Sequence, residues 1–149
     1  MSGKTETSGW REYRAMIVFL DSNVVIYFIE SDPYWGPKVE ARLRKIAADK
    51  DMLATSDAVR METLIGPFQS GDTAVLADYQ KFFNSTGVQM LPVTGAVWEH
   101  HAARIRAVYK LQVLDSIHLA TAIEHGCGLF LTNDLQLANF ESIKVEVLI

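Results

Sequence analysis

The stretch Ile17-Val18-Phe19-Leu20-Asp21-Ser22-Asn23-Val24-Val25-Ile26-Tyr27-Phe28-Ile29 decides the fold. Residues 16–20 form a short apolar run of the kind a strand buried on both faces requires. Asp21-Ser22-Asn23 then supplies the small polar side chains that start a helix. Val24 to Ile29 is β-branched and aromatic, so local propensity favours a second strand. Because the run directly follows a helix start, it reads as a buried first helix against that propensity. A strand that delivers its chain into a helix is the opening of an α/β alternation.

The pattern repeats outward from there. Pro33 and Gly36-Pro37 break the chain, and Val39, Leu43, Ile46 and Ala47 fall at helical spacing over residues 37–49. Residues 52–55 read as a strand, and Ser56 or Asp57 caps a helix expected to stop near Ile65, at Gly66-Pro67. A helix over 72–84 places Leu76, Tyr79, Phe82 and Phe83 inward, and Val88 to Val93 reads as the third strand. Thr94 caps a long helix through Trp98, Ile105 and Val108. Another helix runs from about Leu114 to His125, closed by Gly126 in the C′ position. Leu129-Phe130-Leu131 and Val145 to Leu148 complete the strands. Apolar strands alternating with helices predict a three-layer α/β/α domain around a central, mainly parallel sheet of about five strands. The domain is expected over residues 16–149. Residues 1–15 are polar and without a clear period, and read as a flexible extension.

The totals narrow the function. With 149 residues, 49% hydrophobic and 21% charged, the chain suits one globular domain. No apolar run approaches the roughly 20 residues needed to span a bilayer, and the N-terminus has no signal-peptide core. Cys127 is the only cysteine, which excludes an intrachain disulfide and predicts a cytoplasmic, reducing setting. A formal charge of −4 gives no broad basic footprint for nucleic acid.

Four acids stand where strands hand over to helices, or on helices facing that handover: Asp21, Glu62, Asp115 and Asp134. Taken singly, Asp21 and Asp115 each read as an N-cap, Glu62 as a solvated side chain and Asp134 as a turn residue. Taken together they are harder to dismiss. Ligands of parallel sheets bind beyond the carboxyl ends of the strands, near the switch in strand order. Asp21 and Asp134 fall just past two strands, and the two helical acids can face the same crevice. Gathered carboxylates repel one another unless a cation compensates, and an oxygen-rich cage suits Mg²⁺ or Mn²⁺. No Cys/His spacing suggests zinc.

The stretches Phe19-Leu20-Asp21-Ser22-Asn23-Val24, Ser56-(x)5-Glu62, Leu114-Asp115-Ser116-Ile117-His118-Leu119-Ala120-Thr121-Ala122 and Leu131-Thr132-Asn133-Asp134, in this order, resemble the PIN-domain ribonucleases. Within that family the chain is most similar to the VapC toxins of toxin–antitoxin modules. The resemblance implies a metal-dependent endoribonuclease in which Asp21, Asp115 and Asp134 bind Mg²⁺ or Mn²⁺. A metal-activated water would hydrolyse RNA phosphodiester bonds, leaving a 5′-phosphate and a 3′-hydroxyl. Glu62 is implied as the helix glutamate of the site, binding metal or orienting the nucleophile. The resemblance further implies a homodimer and a VapB-like antitoxin partner, whose arginine could take the cation's place in the pocket. Thr132 reads as a hydroxyl supporting Asp21 or as a turn residue; Ser22 and Asn23 orient Asp21 or cap the first helix.

His118, one turn after Asp115, shares nearly the same helix face, but a metal mechanism needs no histidine and a structural role is expected. Arg60, Arg104, Arg106 and Lys110 are the candidate RNA contacts, although Arg60 and Glu62 point to different sides of their helix. Arg42, Arg44 and Lys45 read as a solvated face. Trp35, Phe82, Phe83 and Trp98 read as core or subunit-interface rings. Two other function classes compete: a PIN-like module that binds protein or RNA without turnover, and a Mg²⁺-dependent phosphotransfer domain. Retention of all four acids disfavours the first. The second lacks the other aspartate of an Asp-x-Asp motif. No Gly-x-Gly-x-x-Gly follows the first strand, which excludes a Rossmann dinucleotide site.

Overall fold

A computed structural model describes residues 15–149, so the expected N-terminal extension falls, apart from Ala15, outside the described residues. The elements follow as β1 (Ile17–Leu20), α1 (Ser22–Ile29), α2 (Trp35–Ala48), β2 (Met52–Ser56), α3 (Asp57–Ser70), α4 (Thr73–Phe83) and β3 (Val88–Leu91). A π-helical stretch (Val97–Ala102), α5 (Ala103–Tyr109), α6 (Val113–Glu124), β4 (Leu129–Thr132), a 3₁₀ turn (Leu135–Leu137) and β5 (Val145–Val147) complete the described chain.

All neighbouring strands are parallel, in the order β3-β2-β1-β4-β5. From β1 the chain steps outward to β2 and β3, then returns across the sheet to β4. Right-handed crossovers therefore lay α1 to α4 over one face and the π-helical stretch, α5 and α6 over the other. Side-chain contacts agree. Phe28 of α1 meets Phe82 of α4, whereas Phe19 and Phe130 stack at 5.1 Å, with Phe19 against His118 of α6. The strand order reverses between β1 and β4, so their carboxyl ends open the crevice that this architecture offers a ligand.

The β-prone run after Asp21 is helical as expected. The Asp21 carboxylate accepts the Ser22 N–H, and the Asp21 carbonyl accepts the N–H groups of Val24 and Val25. Val24 and Val25 are buried against the sheet. A β-branched residue costs a helix only about 0.7 kcal/mol, whereas full burial of a valine is worth roughly 1.5–3 kcal/mol, so packing decides.

Other boundaries differ from the sequence expectation. α3 does not stop at Gly66-Pro67 but continues to Ser70, ending at Gly71 with φ +73°. Pro67 removes one N–H from the ladder, yet it is buried on the same face as Val59 and Thr63, and that packing carries the helix through. β3 ends at Leu91 rather than Val93, because Pro92 has no N–H for the ladder. The long helix expected after Thr94 is interrupted by the π-helical stretch. Its wider turn brings Val97 and Ala102, five residues apart, onto one buried side against α6. Gly126, φ +77°, follows α6 in the left-handed conformation expected of it.

Phe19 is wholly buried between β4 and α6. Phe19→Ala should lower the unfolding free energy by about 3–5 kcal/mol, read as a reduced urea midpoint with an unchanged slope.

Candidate active site

At the crevice, Asp21 leaves β1 with only 4% of its surface exposed. Its backbone N–H still bonds the Leu131 carbonyl of β4, which pins the residue between the two central strands. Each carboxylate oxygen has one short donor: the Ser22 N–H at 2.8 Å on Oδ1 and the Thr132 hydroxyl at 2.7 Å on Oδ2. Thr132 is fully buried at the end of β4, and its Oγ1 also accepts the Asp134 N–H at 3.0 Å. One hydroxyl therefore supports Asp21 and sets the chain direction at Asp134. Asn23 ties the same corner, its Oδ1 accepting the Asn133 N–H at 3.1 Å. Of the two roles open to Thr132, Ser22 and Asn23, the geometry shows the supporting one for Thr132. Asn23 supports the Asn133 corner, and Ser22 reaches a third element.

That element is α3. Ser22 Oγ donates to Glu62 Oε1 at 2.5 Å, and His118 Nε2 lies 2.8 Å from the same oxygen. Glu62 is thus not a freely solvated side chain. Asp115 lies in the first turn of α6, whose N-cap is Gln112, so it does not cap the helix. Among the described residues no hydrogen bond falls on its carboxylate. Asp134 caps the 3₁₀ turn through the Gln136 N–H at 2.9 Å.

Electrostatics join the four. Burial pushes the Asp115 carboxyl up to about 6, and the charges of Asp21, Asp134 and Glu62 push in the same direction. Burial likewise raises Asp21, with Glu62 adding to it, against the lowering influence of His118, Thr132 and the Ser22 N–H. Glu62 alone is lowered, chiefly by its hydrogen bond to His118. Among the described residues no lysine or arginine forms an ion pair with any of the four acids. The donors are all oxygens, which suits a hard divalent cation. Among the described residues no group of three or more Asp, Glu, His or Cys side chains is arranged to hold a metal ion. The fit rests on donor chemistry and uncompensated charge.

The candidate RNA contacts divide. Arg60 turns away onto α4, its guanidinium donating to the Phe83 carbonyl and lying 5.4 Å from the Phe83 ring centre. Its side chain is engaged with Phe83 of α4, on a different side of α3 from Glu62. Arg104, Arg106 and Lys110 are exposed. Arg106 borders a hollow of about 260 Å³ with Trp98, Val113, Ser116 and Ile117, beside the start of α6. Arg42 makes a two-point ion pair with Glu146 of β5, and Lys45 pairs with Asp49. His118 is the residue that sequence reasoning set aside: it is 1% exposed and bonded to a site acid. Its helical offset of three from Asp115 was the available signal. Among the described residues no helix is long and apolar enough to cross a membrane.

The family model for the PIN domain matches residues 18–143. A search of curated protein sequences finds no match. Solved structures with the same fold include VapBC2 of Rickettsia felis bound to a DNA fragment from its promoter. That structure aligns with TM-score 0.74 and 16% identity over 89% of this chain and 98% of the other. A toxin–antitoxin complex of Klebsiella pneumoniae aligns with TM-score 0.67 and 19% identity over 89% and 98%. The sarcin–ricin-loop-cleaving toxin VapC20 of Mycobacterium tuberculosis aligns with TM-score 0.64 and 19% identity over 85% and 98%.

The raised Asp115 carboxyl has a signed consequence for stability. The folded protein holds its proton more tightly than the unfolded chain, so Asp115 costs stability as pH rises from about 3.8 through about 6. In metal-free buffer, Asp115→Asn should melt at a higher temperature than the wild type at pH 7.5 and show no such gain at pH 4. An equal gain at both pH values would mean that carboxylate repulsion is not its source.

Proposed function

The chain belongs to the PIN-domain family, and from that premise we propose that it is a metal-dependent endoribonuclease acting as the toxin of a toxin–antitoxin pair. The observation that carries the proposal is the convergence of four acids, without a lysine or arginine partner among the described residues, at the switch point of the sheet. Asp21, Asp115 and Asp134 are the residues that would hold Mg²⁺ or Mn²⁺. When bound, such an ion lowers the pKa of a water and places positive charge where phosphate negative charge builds. Asp21 is already oriented for this by two hydrogen bonds, so ordering it carries little further cost. Among the described residues Asp115 accepts no hydrogen bond, which leaves both its oxygens available. Asp134 spends one oxygen on its cap and keeps the other. Arg104, Arg106 and Lys110 would supply the basic rim for an exposed, single-stranded or looped backbone.

An antitoxin partner is supported by likeness to structures described as VapBC and toxin–antitoxin complexes. An arginine of such a partner would meet the uncompensated carboxylates with a planar, permanently charged fork. A homodimer is supported by Met61, Ile65 and Phe68, which form an exposed apolar stripe at helical spacing along α3.

RNA cleavage with Mn²⁺ or Mg²⁺ should fall on the order of a hundredfold or more in Asp21→Asn and in Asp115→Asn. Removal of the metal by chelation should abolish it, and equal cleavage by all three proteins would sink the site. Phe68→Asp should shift the protein toward monomer in sedimentation analysis while its circular dichroism remains unchanged.

A further inference from the structure

The three-way contact of Ser22, Glu62 and His118 joins α1 and α3 to α6 across the end of the sheet. Glu62 Oε1 receives Ser22 Oγ at 2.5 Å and faces His118 Nε2 at 2.8 Å, while Ser22 Oγ and His118 Nε2 are 3.4 Å apart. A carboxylate oxygen has two lone-pair directions, and two donors fill both. Among the described residues no hydrogen bond falls on Oε2, and a third of the Glu62 side chain is open to solvent. Glu62 therefore has one committed oxygen and one available oxygen.

The state of the His118 ring follows from its surroundings. The side chain is 1% exposed, packed against Phe19, and its Nδ1 is buried with no partner. A proton on Nδ1 would be a buried donor without an acceptor, whereas a bare ring nitrogen lone pair is the milder loss. The ring thus carries its proton on Nε2 and donates it to Glu62.

We infer that His118 is a positioning residue, which with Ser22 fixes Oε1 of Glu62 and leaves Oε2 as the single oxygen Glu62 offers to the pocket. This narrows the open role of Glu62. It serves the site through one oxygen, as a one-point ligand or as an acceptor for a water, and not as a two-oxygen chelate. His118 is buried away from the pocket opening and bonded to Glu62. It acts through Glu62, and it belongs to the helix that carries Asp115, so one element places Asp115 directly and Glu62 at one remove. The kinetic consequence rests on the nuclease reading; the geometry does not.

The experiment has an arm for each. With ¹⁵N-labelled histidine, long-range nitrogen–proton correlation should show His118 with its proton on Nε2, protected from exchange, and Glu62→Ala should remove that protection. A proton on Nδ1 in the wild type overturns the inference. For function, His118→Leu keeps the bulk without the donor, and His118→Gln carries an amide N–H near the Nε2 position. His118→Leu should lower kcat on a single-stranded RNA oligonucleotide, and weaken binding of Mn²⁺ alone, by roughly 10- to 100-fold. KM for the RNA should be unchanged, and His118→Gln should recover most of the loss while both variants melt within a few degrees of the wild type. Wild-type behaviour of His118→Leu, or equal losses in the two variants, overturns the inference. If the wild type cleaves no RNA, the nuclease reading fails. The positioning role then still stands if Nε2 carries the proton and Mn²⁺ affinity follows the donor. Absence of Mn²⁺ binding by the wild type overturns it, because Glu62 would then have no pocket to serve.

Discussion

The burial of the Asp21 carboxylate at the end of a central parallel strand is the constraint on which the rest of this structure depends. A carboxylate withdrawn from water is costly unless hydrogen bonds or opposite charge replace the lost hydration. Asp21 has the first and no lysine or arginine for the second: the Ser22 N–H and the Thr132 hydroxyl each hold one oxygen, and among the described residues neither cation pairs with it. Those donors come from the strand-to-helix handover of β1 and from the end of β4. The sheet must therefore place β1 and β4 side by side and in register, as the Leu20–Leu131 pairing does. The fold and the electrostatic problem are set by the same few residues.

The two helical layers then bring the remaining charge. Glu62 arrives from the layer of α1 to α4, and Asp115 from α6 in the other layer. Each layer is held by ordinary apolar packing: Phe28 against Phe82 on one face, Phe19 and Phe130 against α6 on the other. Packing of this kind is worth several kcal/mol per large ring, which exceeds the cost of raising one half-exposed carboxyl. The protein can thus hold a cluster of like charges at the rim because the apolar packing beneath offsets what their repulsion costs.

Much of this was legible in the residues. Asp21-Ser22-Asn23 after an apolar run indicated a parallel α/β domain, and the helix that follows overrode its own β propensity through burial of Val24 and Val25. Asp21 and Asp134 could be assigned to one end of the sheet because each falls just past a strand; Glu62 and Asp115, on helices, could be placed there only as facing the same crevice. The misread features share a physical cause: each depends on contacts distant in sequence. Gly66-Pro67 is a stop signal by local pattern, but the burial of Pro67 beside Val59 and Thr63 carries α3 onward. Arg60 was a candidate for RNA, and only the position of Phe83, on α4, shows why it is engaged elsewhere. The π-helical stretch answers to the packing of Val97 and Ala102 against α6, which no local pattern encodes. His118 was assigned to structure because nothing in its own helix shows that Glu62, fifty-six residues earlier, lies 2.8 Å away.

Three agents can relieve the repulsion among these carboxylates. A proton on Asp115, raised to about 6, neutralises one acid without adding a ligand. A divalent cation would neutralise two charges at once, and it requires that proton to leave. A guanidinium from a partner would satisfy the same oxygens by hydrogen bonds without supplying a Lewis acid. In the proposed reading these are the acid-silenced, active and inhibited states of one pocket, separated only by which cation fills it. The oxygens that decide among them are those of Asp115 and the free oxygens of Asp134 and Glu62. Asp21 is already bound by its own chain, and Glu62 Oε1 is held by Ser22 and His118. In that reading, control of the site centres on the N-terminal turn of α6, where Asp115 has no hydrogen bond to lose among the described residues.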